Sequence, residues 1–312
     1  MSRLAAGVDA VDRIIDANGR ARVASWGLLL TFIIVTTERL LGAYRLGTFA
    51  IDLRIYRAAA EAALDGRDPW AAGAAGLAFA GPPPTLIPYL PAALVPEGVA
   101  IAVCGAITLG AALLTLRALH LPPWWLLFPP ISDSIIVLNP DVIVIALLVA
   151  LPRLAALSMV FKVYAAVPLA LTMRWRPLVV GALLCLLSAP WWPAFFAARG
   201  SIGDSLATQS FGGMSAWGTW LLIPTVVALA VLWRRGAEWL TVPALWPYTQ
   251  LHYSTLALPI AARNAVVAFL LCFPVAFLPP LATILYALWV VGAGRLEAYR
   301  AGAAKIQPSA SV

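Results

Sequence analysis

Asp52-Leu53-Arg54-Ile55-Tyr56-Arg57, continuing to Gly66-Arg67-Asp68-Pro69-Trp70, is a polar island between long runs of lipid-soluble sequence. Seven charged residues fall between Asp52 and Asp68, in a chain that is 62% hydrophobic and only 11% charged. Such a segment is not a membrane span; it is an ordered surface loop or an active site. Leu53, Tyr56, Ala60 and Leu64 recur at helical spacing, which predicts an amphipathic helix that ends near Gly66 before the turn signal Asp68-Pro69. Flanked by apolar runs, that helix is expected to lie in the membrane interface with its apolar face toward lipid.

Outward from the island, composition sets the class. A mean hydropathy of +0.89 and 13 tryptophans indicate an all-α, polytopic membrane protein, since each span consumes ~20 mostly apolar residues. The net charge of +7 does not point to nucleic acid. Its basic residues punctuate apolar runs instead of forming a stripe, as helix ends near anionic headgroups do. Cys104, Cys185 and Cys272 lie singly in apolar segments and read as packing residues. Only His120 and His252 are present, with no Cys/His cluster or HExxH pattern, which argues against a zinc enzyme, while a divalent ion held by carboxylates is left open. No nucleotide-binding glycine loop, nucleophile elbow or heptad seam is present.

The chain reads as one integral membrane domain, 1–312, with about 10 to 12 membrane segments. Residues 1–23 form a cytoplasmic segment in which Val8, Val11, Ile14 and Ile15 suggest an interfacial helix. Arg20 and Arg22 orient a first span from Ala24 to Ala43, which puts the loop 44–83 outside. A short proline-broken span follows, then Val99 to Leu119, Trp124 to Ile136, Asp141 to Leu151, Ala155 to Met173 and Pro177 to Phe196. Residues 198–216 form a second external loop, an eighth span ends at the basic marker Trp233-Arg234-Arg235, and three or four segments precede a cytoplasmic tail, 295–312. This topology places Asp133, Asn139 and Asp141 on the cytoplasmic side, as helix caps and packing residues away from the chemistry unless that segment is re-entrant.

Several residues carry more than topology. Asp52 reads on its own either as the N-cap of a helix starting at Leu53 or as a carboxylate available for chemistry. Lys162 sits inside an apolar run, roughly 10 Å deep at 1.5 Å per residue, where ionisable groups face a cavity or a partner, or else snorkel. His252-Tyr253 follows a proline-broken segment and suits acceptor binding, proton relay or a helix-end hydrogen bond. Glu38-Arg39 reads as an interfacial ion pair. Trp70, Trp191 and Trp192 suit sugar stacking or an interfacial aromatic belt.

The string Asp52-x3-Tyr56-x3-Ala60, then Gly66-x-Asp68-Pro69-Trp70, Phe79 and Pro82-Pro83-Pro84, resembles the polyprenyl-phosphate-sugar-dependent glycosyltransferases of the GT-C fold, glycosyltransferase family 87 in particular. Asn139-Pro140-Asp141, Lys162 with Arg174-Trp175-Arg176, and Pro247-x4-His252-Tyr253 with Pro259 extend the resemblance in order. It implies an inverting plasma-membrane transferase with an extracytoplasmic active face. Such an enzyme takes mannose, or arabinose, from a polyprenyl-phosphate donor to a cell-envelope glycan or glycolipid. Asp52 is then the general base and His252 a second catalytic residue, with Arg54, Tyr56, Arg57, Lys162 and Tyr253 on the donor phosphate or sugar. A single Asp in place of an acidic pair implies the metal-independent branch, with no cofactor beyond the lipid-linked co-substrate. The phosphate leaves without a protonating acid, so one carboxylate suffices. The chain departs from the pattern in Phe79-Ala80-Gly81 before the prolines, and in its short length. The proline density and intramembrane Lys162 also suit a non-catalytic lipid-binding protein or a transporter built around a broken-helix cavity.

Overall fold

The computed structural model of the chain describes residues 17–209 and 213–306, which are mostly helical. The interfacial helix expected around Val8 to Ile15 lies outside the described residues. In chain order the longer helices are α1 (Ala17–Leu46), α2 (Ile51–Leu64), α3 (Glu97–Ala118), α4 (Pro129–Val137), α5 (Asp141–Val149), α6 (Trp175–Cys185), α7 (Arg199–Gln209), α8 (Leu222–Val231), α9 (Ala237–Leu245) and α10 (Leu278–Ile306). Three described stretches are long and apolar enough to cross a membrane: Val23–Leu46 in α1, Glu97–Ala118 in α3, and Trp175–Ala197, which continues α6. Val23, Trp26, Leu30, Ile34 and Leu41 of α1 are all exposed. A continuous apolar surface of that kind is costly in water and tolerated in lipid.

Elsewhere the expected spans are broken. The stretch from Trp124 to Ile136 is a 3₁₀ turn, Pro123–Leu127, followed by α4, and that from Asp141 onward is α5. Each of these helices has nine residues, about 14 Å at 1.5 Å per residue, less than half of the ~30 Å hydrocarbon core. Prolines set the breaks: Pro129 and Pro130 open α4, while Leu138 turns left-handed (φ 55°) ahead of Asn139 and Pro140. Ala155 to Met173 is likewise not one helix. A 3₁₀ turn, Pro152–Leu157, and a helical turn, Ser158–Phe161, stop at an extended Lys162, and Val163–Ala165 and Ala166–Leu171 resume beyond it.

The polar island does form a helix, starting at Ile51 and ending at Leu64. The expectation that its apolar face lies on lipid is corrected. Leu53, Tyr56 and Ala60 are buried inside the protein, and only Leu64 of that stripe is exposed. The reason is a partner supplied by the same loop. Tyr56 stacks on Tyr89 of the 3₁₀ segment Pro83–Tyr89, ring centroids 4.6 Å apart, and meets Phe79 edge-on at 5.7 Å. Between them a hairpin, β1 (Gly73–Ala74) with β2 (Leu77–Ala78), pairs Gly73 with Ala78 and Ala74 with Leu77. Its two-residue turn, Ala75-Gly76, has positive φ at both positions, the type I′ geometry that matches strand twist.

Three apolar cores meet at the α4–α5 break. Leu138 packs in the core that holds α2, Val142 in the core around Phe32 and Phe128, and Val144 in the core around Tyr164 and Leu256. The backbone N–H of Ala50, just before α2, donates to the carbonyl of Ile136 at 2.9 Å. The start of the polar island is thereby tied to the junction, with Asn139 at its centre.

Candidate functional site

Asp52 lies in the first turn of α2. The N-cap of that helix is Ala50, with a left-handed backbone, so the capping role open to Asp52 is not the one it takes. Its carboxylate turns to the α4–α5 break, where Asn139 Nδ2 donates to Asp52 Oδ2 at 2.6 Å. The same nitrogen is 3.1 Å from His252 Nε2, and Asn139 Oδ1 accepts the backbone N–H of Asp141 at 3.1 Å. His252, on the 3₁₀ segment Leu251–Ala257, is buried, and its Nδ1 lies 3.4 Å from Asp133 Oδ2. Arg39 closes the chain, donating from Nε at 2.9 Å and Nη2 at 2.5 Å to Asp133 Oδ1. One connected path therefore runs Asp52, Asn139, His252, Asp133, Arg39. Burial pushes the Asp52 carboxyl above its ordinary range, against the opposing pull of His252, Asn139 and Lys162.

A second group surrounds Lys162. Its ammonium donates to the Tyr56 hydroxyl at 2.9 Å and stands 3.9 Å from Asp141 Oδ1. It also lies 5.5, 5.6 and 5.9 Å from the ring centroids of Tyr253, Tyr56 and Tyr164, within cation–π range. The Tyr164 hydroxyl donates to Asp141 Oδ1, while Asp141 Oδ2 is buried without a hydrogen bond. The break in the helix is what turns this lysine inward: an extended residue between two short turns presents its side chain to the tyrosines instead of to lipid.

Both groups open on one cavity of about 280 Å³. Its polar wall includes Asp52, Asn139, His252, Lys162 and the tyrosines 56, 164 and 253; its apolar wall includes Phe79, Phe195, Ile202 and Leu206. Gln209, at the end of α7, donates to the carbonyl of Ala78 at 2.8 Å and so ties the second long loop to the hairpin of the first. Among the described residues no three His, Cys, Asp or Glu side chains converge as a metal site. The Asn139 amide stands between Asp52 and His252.

Of the residues singled out in the sequence, Asp52, Tyr56, Lys162, His252 and Tyr253 all line this cavity. Arg54 and Arg57 do not. Arg54 pairs with Glu97 at 2.8 Å; Arg57 donates to the carbonyls of Ala92 and Val95 and pairs with Glu61. Helical geometry explains the split: Asp52 and Tyr56, four residues apart, share the inner face of α2, and positions 54 and 57 point elsewhere.

Asp133, Asn139 and Asp141, expected as helix caps and packing residues away from the site, lie instead beside Asp52. All three are buried in the network around Asp52, because α4 and α5 are too short to carry the break to a far surface. Arg39 pairs with Asp133 and not with its neighbour Glu38. Trp70 is a packing residue whose Nε1 donates to Gly81, and neither Trp191 nor Trp192 reaches the cavity; the tryptophan that does is Trp246. Tyr164 and Trp246 escaped the sequence reading. Tyr164, two residues past Lys162, carried the only local signal.

No protein-family model, curated protein or solved structure matches the chain.

Proposed function

We propose that the protein is a membrane glycosyltransferase of the GT-C type. It moves mannose, or arabinose, from a polyprenyl-phosphate donor to a cell-envelope glycan or glycolipid, with inversion. The observation that carries this reading is the placement of a half-buried carboxylate, Asp52, and a buried cation, Lys162, on the wall of one cavity. The cavity volume, about 280 Å³, falls near the lower end of small-molecule sites, suited to one sugar ring and its phosphate. The apolar wall of Phe79, Phe195, Ile202 and Leu206 favours an amphiphile whose lipid chain leads away from the charged end.

In this mechanism Asp52 takes the proton of the acceptor hydroxyl as that oxygen bonds to the anomeric carbon. The bond from the anomeric carbon to phosphate oxygen breaks on the opposite face, and its electron pair leaves with the phosphate. Lys162, assisted by the tyrosine hydroxyls around it, stabilises the growing phosphate charge, a fixed electrostatic contribution that needs no reorganisation. Attack and departure on opposite faces give inversion. The reading takes the chain as polytopic, with about 10 to 12 segments. Loops 44–83 and 198–216 lie on the extracytoplasmic side of the plasma membrane, and α4–α5 is a re-entrant pair.

The test is reconstitution of the purified chain in proteoliposomes with polyprenyl-phosphate mannose or arabinose and an envelope lipid extract as acceptor. New glycolipid with the inverted linkage supports the reading. Substrate flux without product supports a transporter instead, a second reading that the broken helix lining the cavity favours.

A further inference from the structure

We infer that Asn139 is the positioning residue of this cavity: its amide holds one oxygen of Asp52 and makes His252 a hydrogen-bond acceptor, not a proton carrier. The argument starts from a backbone group whose role has no ambiguity. The N–H of Asp141 can only donate, and it points at Asn139 Oδ1 from 3.1 Å. The side-chain oxygen of Asn139 therefore faces the start of α5, and its NH₂ faces the other way. That NH₂ has two protons and two neighbours, Asp52 Oδ2 at 2.6 Å and His252 Nε2 at 3.1 Å. To receive the second proton, Nε2 must offer its lone pair, so the ring proton of His252 sits on Nδ1 and is directed toward Asp133 Oδ2. Arg39 in turn anchors Asp133 through its other oxygen.

Two consequences follow for the reaction, and both rest on the transferase reading. Asp52 Oδ1 makes no hydrogen bond among the described residues, so it is the oxygen that faces the acceptor hydroxyl. A proton that Asp52 takes up cannot pass to His252, because the amide between them donates but does not accept and hand on a proton. It leaves through the cavity instead. The tautomer of His252, by contrast, stands on geometry alone and does not depend on the reaction.

The chain has two histidines, and His120 is exposed with φ 55°, a backbone that asparagine tolerates. A His120→Asn protein labelled with ¹⁵N-histidine therefore reports on His252 alone. A protonated Nδ1 and a bare Nε2 are expected in detergent without substrate. A protonated Nε2, in either the other tautomer or an imidazolium, overturns the inference. In the transfer assay, His252→Leu strands an amide proton and is expected to lose about 10- to 100-fold, and His252→Gln, which restores an acceptor, recovers most of that loss. Equal losses in the two variants identify a proton carrier and overturn it. If the wild-type chain transfers no sugar, the transferase reading fails and the tautomer alone decides the positioning claim.

Discussion

Lys162 donates a hydrogen bond to the hydroxyl of Tyr56 at 2.9 Å, although 106 residues separate them along the chain. The contact joins α2, the helix of the polar island, to a helix break in an apolar segment. It makes the charged end of the cavity a shared product of the two. Each side of the pair has its own support: Tyr56 is stacked on Tyr89, and Lys162 is flanked by Tyr164 and Tyr253.

Replacing Lys162 with Met keeps the length of the side chain and removes its charge. The variant is expected to raise KM for the lipid-linked donor by about tenfold or more. It should also lose about 3 kcal/mol of stability, because Asp141 is left buried without a cation. The double variant Lys162→Met, Asp141→Asn is expected to recover much of that stability and none of the donor affinity. Donor titration and thermal unfolding in detergent separate the two effects; recovery of both together would assign Lys162 a purely structural role.

Burial holds the Asp52 carboxyl above the ordinary value of about 3.9. A base works only when deprotonated, so kcat/KM should rise with pH through that elevated value and fall about tenfold per unit below it. The stability consequence has the opposite sign. The folded chain holds this proton more tightly than the unfolded chain, so between the two pKa values stability falls as pH rises. Asp52→Asn removes the half-buried, desolvated charge and still accepts from Asn139; it is expected to melt at a higher temperature than wild type at neutral pH. A lower melting temperature would contradict the assignment of Asp52 as a destabilised functional group.

Gly181, in α6, lets that helix approach the turn that precedes Lys162. A Cβ there would stand 2.5 Å from Met159 Sδ and 2.9 Å from the carbonyl oxygen of Ala156. Met159 can shift, but the backbone of Ala156 cannot follow without moving the helix break. Gly181→Val is expected to cost about 1–3 kcal/mol and to raise donor KM along with it. Unchanged unfolding and unchanged KM would show that the approach is not needed to hold Lys162.

Much of this arrangement was legible in the sequence, and the rest was hidden for identifiable reasons. Asp52 and Tyr56 declared themselves through a polar segment in an apolar chain, and Lys162 and His252 through their rarity. The helix of the island was readable from its spacing to within two residues at its start. What it packs against was not, because apolar periodicity does not distinguish lipid from the Tyr89 and Phe79 rings that cover the same stripe. Arg54 and Arg57 seemed equivalent to Tyr56 in sequence, and only the angle around the helix separates them. The largest error concerned Asp133, Asn139 and Asp141. Counting spans treats each apolar run as a full crossing, whereas nine-residue helices on either side of Pro140 leave the break in the interior. The Asn-Pro-Asp triplet was visible; its depth was not.

The central claim is that Asp52 is the base that activates the acceptor, and the most direct measurement is sugar transfer by Asp52→Asn in the same proteoliposomes that support the wild-type reaction. The account predicts an intact, correctly folded variant whose kcat falls by ~10²–10⁴-fold, with donor KM changed little because Lys162 and its tyrosines are untouched. Transfer at the wild-type rate by a folded Asp52→Asn protein would contradict it.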